Sequence, residues 1–301
     1  MSIRNHSVRY SVAARSGEPY AHSSMPGTTD PNQAELEAGL AGRRVPAEAR
    51  LSERARELRV VCTVPTYNES ENILELAQEL LALGPRVEVL VIDDDSPDRT
   101  WALVEEAAGS EPRLHLLHRT AERGRGTAGR DGFVHALTLG ADLVVELDAD
   151  FSHHPRFIPA MVESLLEPLD DGTEVGLVLG SRGVPGGSDL DRSLARRWLT
   201  SAANLYIRLL LGVSVWDCNS GFRCWRRSTL EAIQVEQIFS TGPAIVQELL
   251  FKTARAGISI REVPIEFVDR VRGESTLTMR TLFQGYTMVL RLRWMALTGK
   301  L

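Results

Sequence analysis

From Arg59 onward, apolar residues follow two different spacings. Short runs dense in Val, Ile and Leu ("RVVCTV", "VEVLVI", "RLHLLH", "DLVVEL", "VGLVLG") alternate with longer stretches whose apolar positions recur every three to four residues. Unbroken runs of this kind suit strands buried on both faces, and the wider spacing suits helices lying against them. The spacing predicts helices over residues 69–83, 98–108, 127–139 and 156–166. Strict alternation implies right-handed crossovers, hence an α/β fold with a mostly parallel sheet flanked by helices. Beyond Gly180 the pattern is less regular. It predicts a long helix over 191–211, a short strand around "GFRCW", a helix over 243–256, a strand at "ISIREVPIEF" and a C-terminal helix. Residues 1–55 are rich in Ser, Pro, Gly, Ala and charge without sustained apolar period, and are read as a disordered extension. That leaves residues 56–277 as one folded domain and 278–301 as an amphipathic helix.

In an open parallel sheet, ligands bind beyond the carboxyl ends of the strands. The chemically suggestive motifs fall there: "PTYNE" after the first strand, "DDDSPD" after the second and "DADFSHHP" after the fourth. In extended chain, residues two apart point the same way, so Asp148 and Asp150 face one point. Two hard oxygen ligands with room for phosphate oxygens suit Mg²⁺ or Mn²⁺; alternatively one Asp caps the next helix and the other is solvated. Asp93 and Asp94 are placed to accept hydrogen bonds from a base or ribose, whereas Asp98 is assigned to the start of a helix. Tyr67 and Glu69 suit a base and a ribose hydroxyl, while Asn68 and Glu71 alternatively form a capping box. "GRGTAG" fits a dinucleotide fingerprint, but five residues separate the preceding strand from its first glycine. His153 stands either as a ligand or in a turn. Arg182 follows the fifth strand, and Arg192, Arg196, Arg197, Arg223, Arg270 and Arg272 add planar forks suited to phosphate. Glu248 lies among apolar neighbours mid-helix.

Composition narrows the classes. A formal net charge of −6 over 301 residues argues against a nucleic-acid partner met by a generally basic surface. Three cysteines without a C-x-x-C pair suggest neither a disulfide framework nor zinc, and Cys62 reads as a core residue. No run is long and apolar enough for a membrane span, and the N-terminus lacks a signal-peptide core. The C-terminal segment sets Phe283, Tyr286, Leu290, Trp294, Leu297 and Leu301 on one stripe beside basic residues. This suits a membrane surface, a membrane-anchored partner or packing on the chain's own domain.

Taken together, "VPTYNESENI", "VIDDDSPDRT", "GRGTAGRDGFVHAL", "ELDADFSHHP", "VLGSRGVPGG", "CNSGFRCWRR" and "REVPIEFVDRVRGES" resemble, in order, the family 2 glycosyltransferases of the dolichyl- or polyprenyl-phosphate mannose synthase type. The resemblance implies a GT-A fold and transfer of mannose from GDP-mannose to a polyprenyl monophosphate, at the cytoplasmic face of a membrane. It places Pro65, Tyr67, Glu69, Asp93 and Asp148 at the donor nucleotide, and Asp148, Asp150 and Ser152 at Mg²⁺ or Mn²⁺. Arg182, Arg196, Ser220, Arg223, Glu248 and Arg270 fall to the phosphates and acceptor, with Asp150, Arg182 and Arg223 central to catalysis. A UDP-sugar donor, an NAD-dependent oxidoreductase and a non-catalytic nucleotide-sugar binder are the competing readings. Three positions depart from the pattern: Arg99 replaces a glycine, Arg125 an apolar residue of the G-L-G-T-A loop, and Thr276 a lysine.

Overall fold

The structure, a computed structural model, describes residues 50–189, 194–267 and 279–300. The expected alternation is present. In chain order the first half holds α1 (Glu53–Arg56), β1 (Val60–Thr66), α2 (Ile73–Leu81), β2 (Val87–Asp93), α3 (Thr100–Ala108), β3 (Leu114–His118), α4 (Arg125–Thr138) and β4 (Leu143–Glu146). The second half holds α5 (Ile158–Leu166), β5 (Val175–Ser181), β6 (Ser188–Asp189), α6 (Leu194–Leu211), β7 (Arg223–Arg226) and α7 (Arg227–Ala232). It ends with α8 (Ile245–Arg255), β8 (Ser259–Pro264), β9 (Glu266–Phe267) and α9 (Met279–Leu297).

Seven strands form one sheet in the order β3-β2-β1-β4-β7-β5-β8, and β6 pairs with β9 separately. Every neighbour in the large sheet is parallel except β7, which runs antiparallel to both β4 and β5. Its register sets Glu146 opposite Arg223, so two charged side chains share one face at the end of β4.

The continuous apolar runs follow from burial on both faces. On one face Val60, Cys62, Val64, Val89 and Val145 pack with Leu76 and Leu80 of α2 and Met161 and Leu165 of α5. On the other, Val61, Leu90, Ile92 and Val144 meet Phe133 of α4, Leu249 of α8 and Leu292 of α9. Cys62 is fully buried, as expected of a core residue. Leu51 and Ala55 also belong to the core, so packing starts ahead of the expected boundary at residue 56. Within the described residues, no helix is long and apolar enough to cross a membrane.

Candidate active site

The first two strand-end loops are laced together. Asp93 ends β2 with no exposed surface, and accepts hydrogen bonds from Thr66 Oγ1 (2.8 Å), Ser96 N (2.9 Å) and Ser96 Oγ (2.7 Å). Across the gap, Asn68 N donates to Ser96 Oγ, Glu69 N to Thr100 Oγ1 and Ser70 N to Asp98 Oδ2, each at 3.0 Å. Asp98 also accepts from Thr100 N and Oγ1, so it does serve the start of α3. Asn68 does not stand at the head of α2. Asn68 adopts a left-handed φ of 61° and faces the second loop, while Asn72 heads α2 and donates to Glu69 Oε2. Above this lattice Tyr67 stays 48% exposed beside half-buried Pro65, leaving an aromatic face open at the sheet edge.

The glycine loop is tied into the protein. Gly124 N donates to Asp94 Oδ2 (2.7 Å) and Gly126 N to Thr241 O (3.0 Å), so two of the amides at the start of α4 that a pyrophosphate would use are taken. A Cβ on Gly126 would lie 2.2 Å from Ser240 O, which makes glycine a packing requirement there. Arg119, itself buried, bridges Asp94, Asp131 and Thr127 beneath this loop. Burial raises the Asp94 carboxyl above its ordinary range, even against Gly124 N–H and Arg119.

Charge gathers beyond β4. Arg125 Nη2 donates to Asp148 Oδ1 at 3.2 Å and lies 3.1 Å from Glu146 Oε1. Burial opposes its charge, but Glu146 and Asp148 together raise the guanidinium above its ordinary value. Asp148 N donates to His153 Nδ1 (3.4 Å), which also lies 3.5 Å from Asp148 Oδ2. Burial pushes the His153 imidazole down despite Asp148 and Asp150, and the ring stacks on Phe222 at 5.2 Å. Asp150 is buried and accepts from Ser152 N at 3.1 Å. One point locates the convergence: a Cβ on Gly221 would lie 3.6 Å from His153, 3.8 Å from Arg125 and 3.9 Å from Asp148.

Two further arginines complete this edge. Arg182 holds Asp217 through Nε (2.7 Å) and Nη2 (2.9 Å), with its guanidinium 5.0 Å from the Phe267 ring centre. Burial would raise the Asp217 carboxyl, but Arg182 outweighs it and holds it below the usual range. Arg223 is wholly buried, donating Nε to Ser220 O (2.8 Å). Burial lowers its pKa to about 10, with Glu146 opposing, so it stays charged at neutral pH.

Residues 62–234 match the model of glycosyl transferase family 2, more than half of the chain. The chain belongs to this family. Its relatives include the undecaprenyl-phosphate mannosyltransferase of Micrococcus luteus, 38% identical over 81% of this chain and 99% of that protein. The polyprenol monophosphomannose synthase of Mycolicibacterium smegmatis is 39% identical over 73% and 81%. The dolichol-phosphate mannosyltransferase of Pyrococcus furiosus is 33% identical over 79% of this chain and 64% of that protein. Among solved structures, glucosyl-3-phosphoglycerate synthase from Mycobacterium tuberculosis superposes with a TM-score of 0.57 at 24% identity, covering 90% of this chain and 84% of that one. That likeness is one of fold, and the fold is GT-A.

Within this glycosyltransferase the expected residues separate into three groups. Pro65, Tyr67 and Glu69 line the first edge, and Asp148, Asp150, Ser152 and Arg182 the second. Asp93, Ser220 and Glu248 each carry hydrogen bonds within the protein. Ser220 Oγ donates to Gly180 O (2.6 Å). Glu248, with no exposed surface, accepts from Phe239 N, Ser240 N and Ser240 Oγ, and so anchors the loop on which Gly126 rests. Arg196 lies on α6; Arg192, Arg270, Arg272 and Thr276 lie outside the described residues. Two acids escaped the sequence reading, Glu146 beneath Arg125 and Asp217 beneath Arg182. The signal for each was faint: an acid closing an apolar run, and an acid beside a cysteine and a tryptophan.

Proposed function

We propose that this glycosyltransferase moves mannose from GDP-mannose to a polyprenyl (dolichyl-type) monophosphate, with inversion at the anomeric carbon. The observation that carries the reading is the convergence of Asp148, Asp150 and three arginine forks at one sheet edge, in a chain whose relatives are named as polyprenyl-phosphate mannose synthases. An acceptor phosphate oxygen attacks the anomeric carbon as the bond to the GDP oxygen breaks. That nucleophile is already anionic, so no strong base is needed; what must be overcome is repulsion between acceptor phosphate and donor diphosphate. Arg182, aimed by Asp217, answers this requirement, and Arg223 adds buried positive charge behind it.

Among the described residues no group of three His, Cys, Asp or Glu side chains forms an all-protein metal site. Two carboxylates that leave coordination positions for phosphate oxygens fit Mg²⁺ or Mn²⁺ held by Asp148 and Asp150, with Ser152 beside them. When bound, such an ion supplies charge to stabilise the leaving diphosphate. Tyr67, Pro65 and Glu69 receive the nucleoside.

Exposed apolar side chains support contact with a lipid surface, which the reading sets at the cytoplasmic face of a membrane. Tyr286 of α9 packs on Tyr206 and Val289 and Leu292 are buried, while Leu290, Trp294 and Leu297 face outward. Trp198, Leu205 and Leu209 of α6 are exposed as well. Purified protein, polyprenyl phosphate, labelled GDP-mannose and Mg²⁺ or Mn²⁺ are expected to give label in an organic-extractable lipid, lost with chelator and in Asp150→Ala. Label only from a UDP-sugar would overturn the donor; none from any sugar nucleotide would overturn the activity.

A further inference from the structure

We propose that Arg125 is a built-in competitor for the divalent cation, resting on Asp148 when the metal is absent and moving onto Glu146 when it binds. The inference rests on the metal reading of Asp148 and Asp150. Arg125 Nη2 lies almost equally far from two carboxylates, paired with Glu146 at 3.1 Å and hydrogen-bonded to Asp148 at 3.2 Å. Both Glu146 oxygens and Arg125 Nη1 are buried without a hydrogen-bond partner among the described residues. Buried charged groups left this way carry a large desolvation penalty, and they call for a second arrangement that satisfies them.

That arrangement is available within the side chain. A guanidinium turned onto Glu146 presents Nη1 and Nη2 to both carboxylate oxygens, the geometry in which arginine binds a carboxylate best. The backbone need not move, since Gly124 N and Gly126 N are both tied down on either side of Arg125. Gly129, one turn along α4, borders both groups: a Cβ there would lie 3.5 Å from Arg125 Nη1 and 4.0 Å from Glu146 Oε1, ordinary contact distances. Glu146 is 1% exposed, so no solvent cation replaces the arginine.

A divalent ion on Asp148 and a guanidinium on the same carboxylate repel at this range and so compete for its charge. Arg125 therefore sets how much metal is needed, and Glu146 acts through it as the positioning residue that receives it. An apolar residue at 125, as in the G-L-G-T-A form of the loop, has no such effect.

The test is direct Mn²⁺ binding, read by electron paramagnetic resonance without any turnover, with thermal melts to verify folding. Wild type is expected to bind Mn²⁺ at a site that Asp150→Ala abolishes. Arg125→Leu is expected to bind it about tenfold more tightly, and Arg125→Gln, which keeps the bulk without the charge, likewise. Glu146→Gln removes the second seat and is expected to weaken binding several-fold, an effect that disappears in the Arg125→Leu background because Glu146 acts through Arg125. Unchanged or weaker Mn²⁺ binding in folded Arg125→Leu and Arg125→Gln would overturn the competition. A Glu146→Gln effect that persists without Arg125 would overturn the second seat. Absence of any Asp150-dependent Mn²⁺ site in wild type would instead overturn the metal reading itself.

Discussion

The two halves of the sheet edge are built on opposite principles. Around β1 and β2 the acidic groups are satisfied from within: Asp93 has three donors, and Asp98 ties the first loop to the second while starting α3. Around β4 and β7 they are not, since Glu146 and the Nη groups of Arg125 and Arg223 include buried atoms with no hydrogen-bond partner among the described residues. A closed network holds a shape that suits an uncharged nucleoside. Buried charge that is incompletely paired suits a ligand that brings charge of its own, such as a diphosphate with its cation. On the proposed function, the first edge would recognise shape and the second would compensate charge.

Substitutions on the two edges should therefore fail differently. The largest effect is expected on the charged edge, where Asp150→Ala should lower mannosyl transfer by about a thousandfold while leaving the melting temperature nearly unchanged. Next, Asp217→Asn removes the charge that aims Arg182 and should lower kcat by about a hundredfold with little change in donor KM, measured by steady-state kinetics. On the satisfied edge the loss should be of stability. Ser96→Ala strips the hydroxyl donor from buried Asp93 and the acceptor from Asn68 N–H, leaving the Ser96 N–H bond in place, and should cost about 1–3 kcal/mol in urea unfolding. The smallest effect has the opposite sign. Arg99 holds a left-handed φ of 63° at the position where glycine is usual, so Arg99→Gly should stabilise by up to about 1 kcal/mol in the same measurement. Equal stability losses on both edges would erase the contrast.

Much of this was legible in the chain. Runs such as "VEVLVI" can only be buried on both faces, so the parallel sheet and the helices of the first half follow from local pattern. The insertion of antiparallel β7 between β4 and β5 does not, because four residues from "GFRCWRR" carry no sign of which strands they join. The same limit hid the partners of the site. Asp217 lies 35 residues from Arg182 and meets it only through the fold. Glu146 reads as the last residue of a strand until the register of β7 sets it against Arg223. Asn68 misled in the other direction: its spacing to Glu71 matches a capping box, but ties between the loops outweigh the local cap. For Glu248, an acid in an apolar helix signalled a buried partner, and the loop of Phe239 and Ser240 supplies one.

The central claim is that the second edge recognises charge and needs a cation to do so, whereas the first recognises the nucleoside without one. Calorimetric titration of GDP and of guanosine, each with and without Mn²⁺, tests it most directly. The account predicts that Mn²⁺ strengthens GDP binding at least about tenfold in wild type and not in Asp150→Ala, and leaves guanosine binding unchanged in both. GDP binding of equal strength with and without Mn²⁺ in wild type would contradict it.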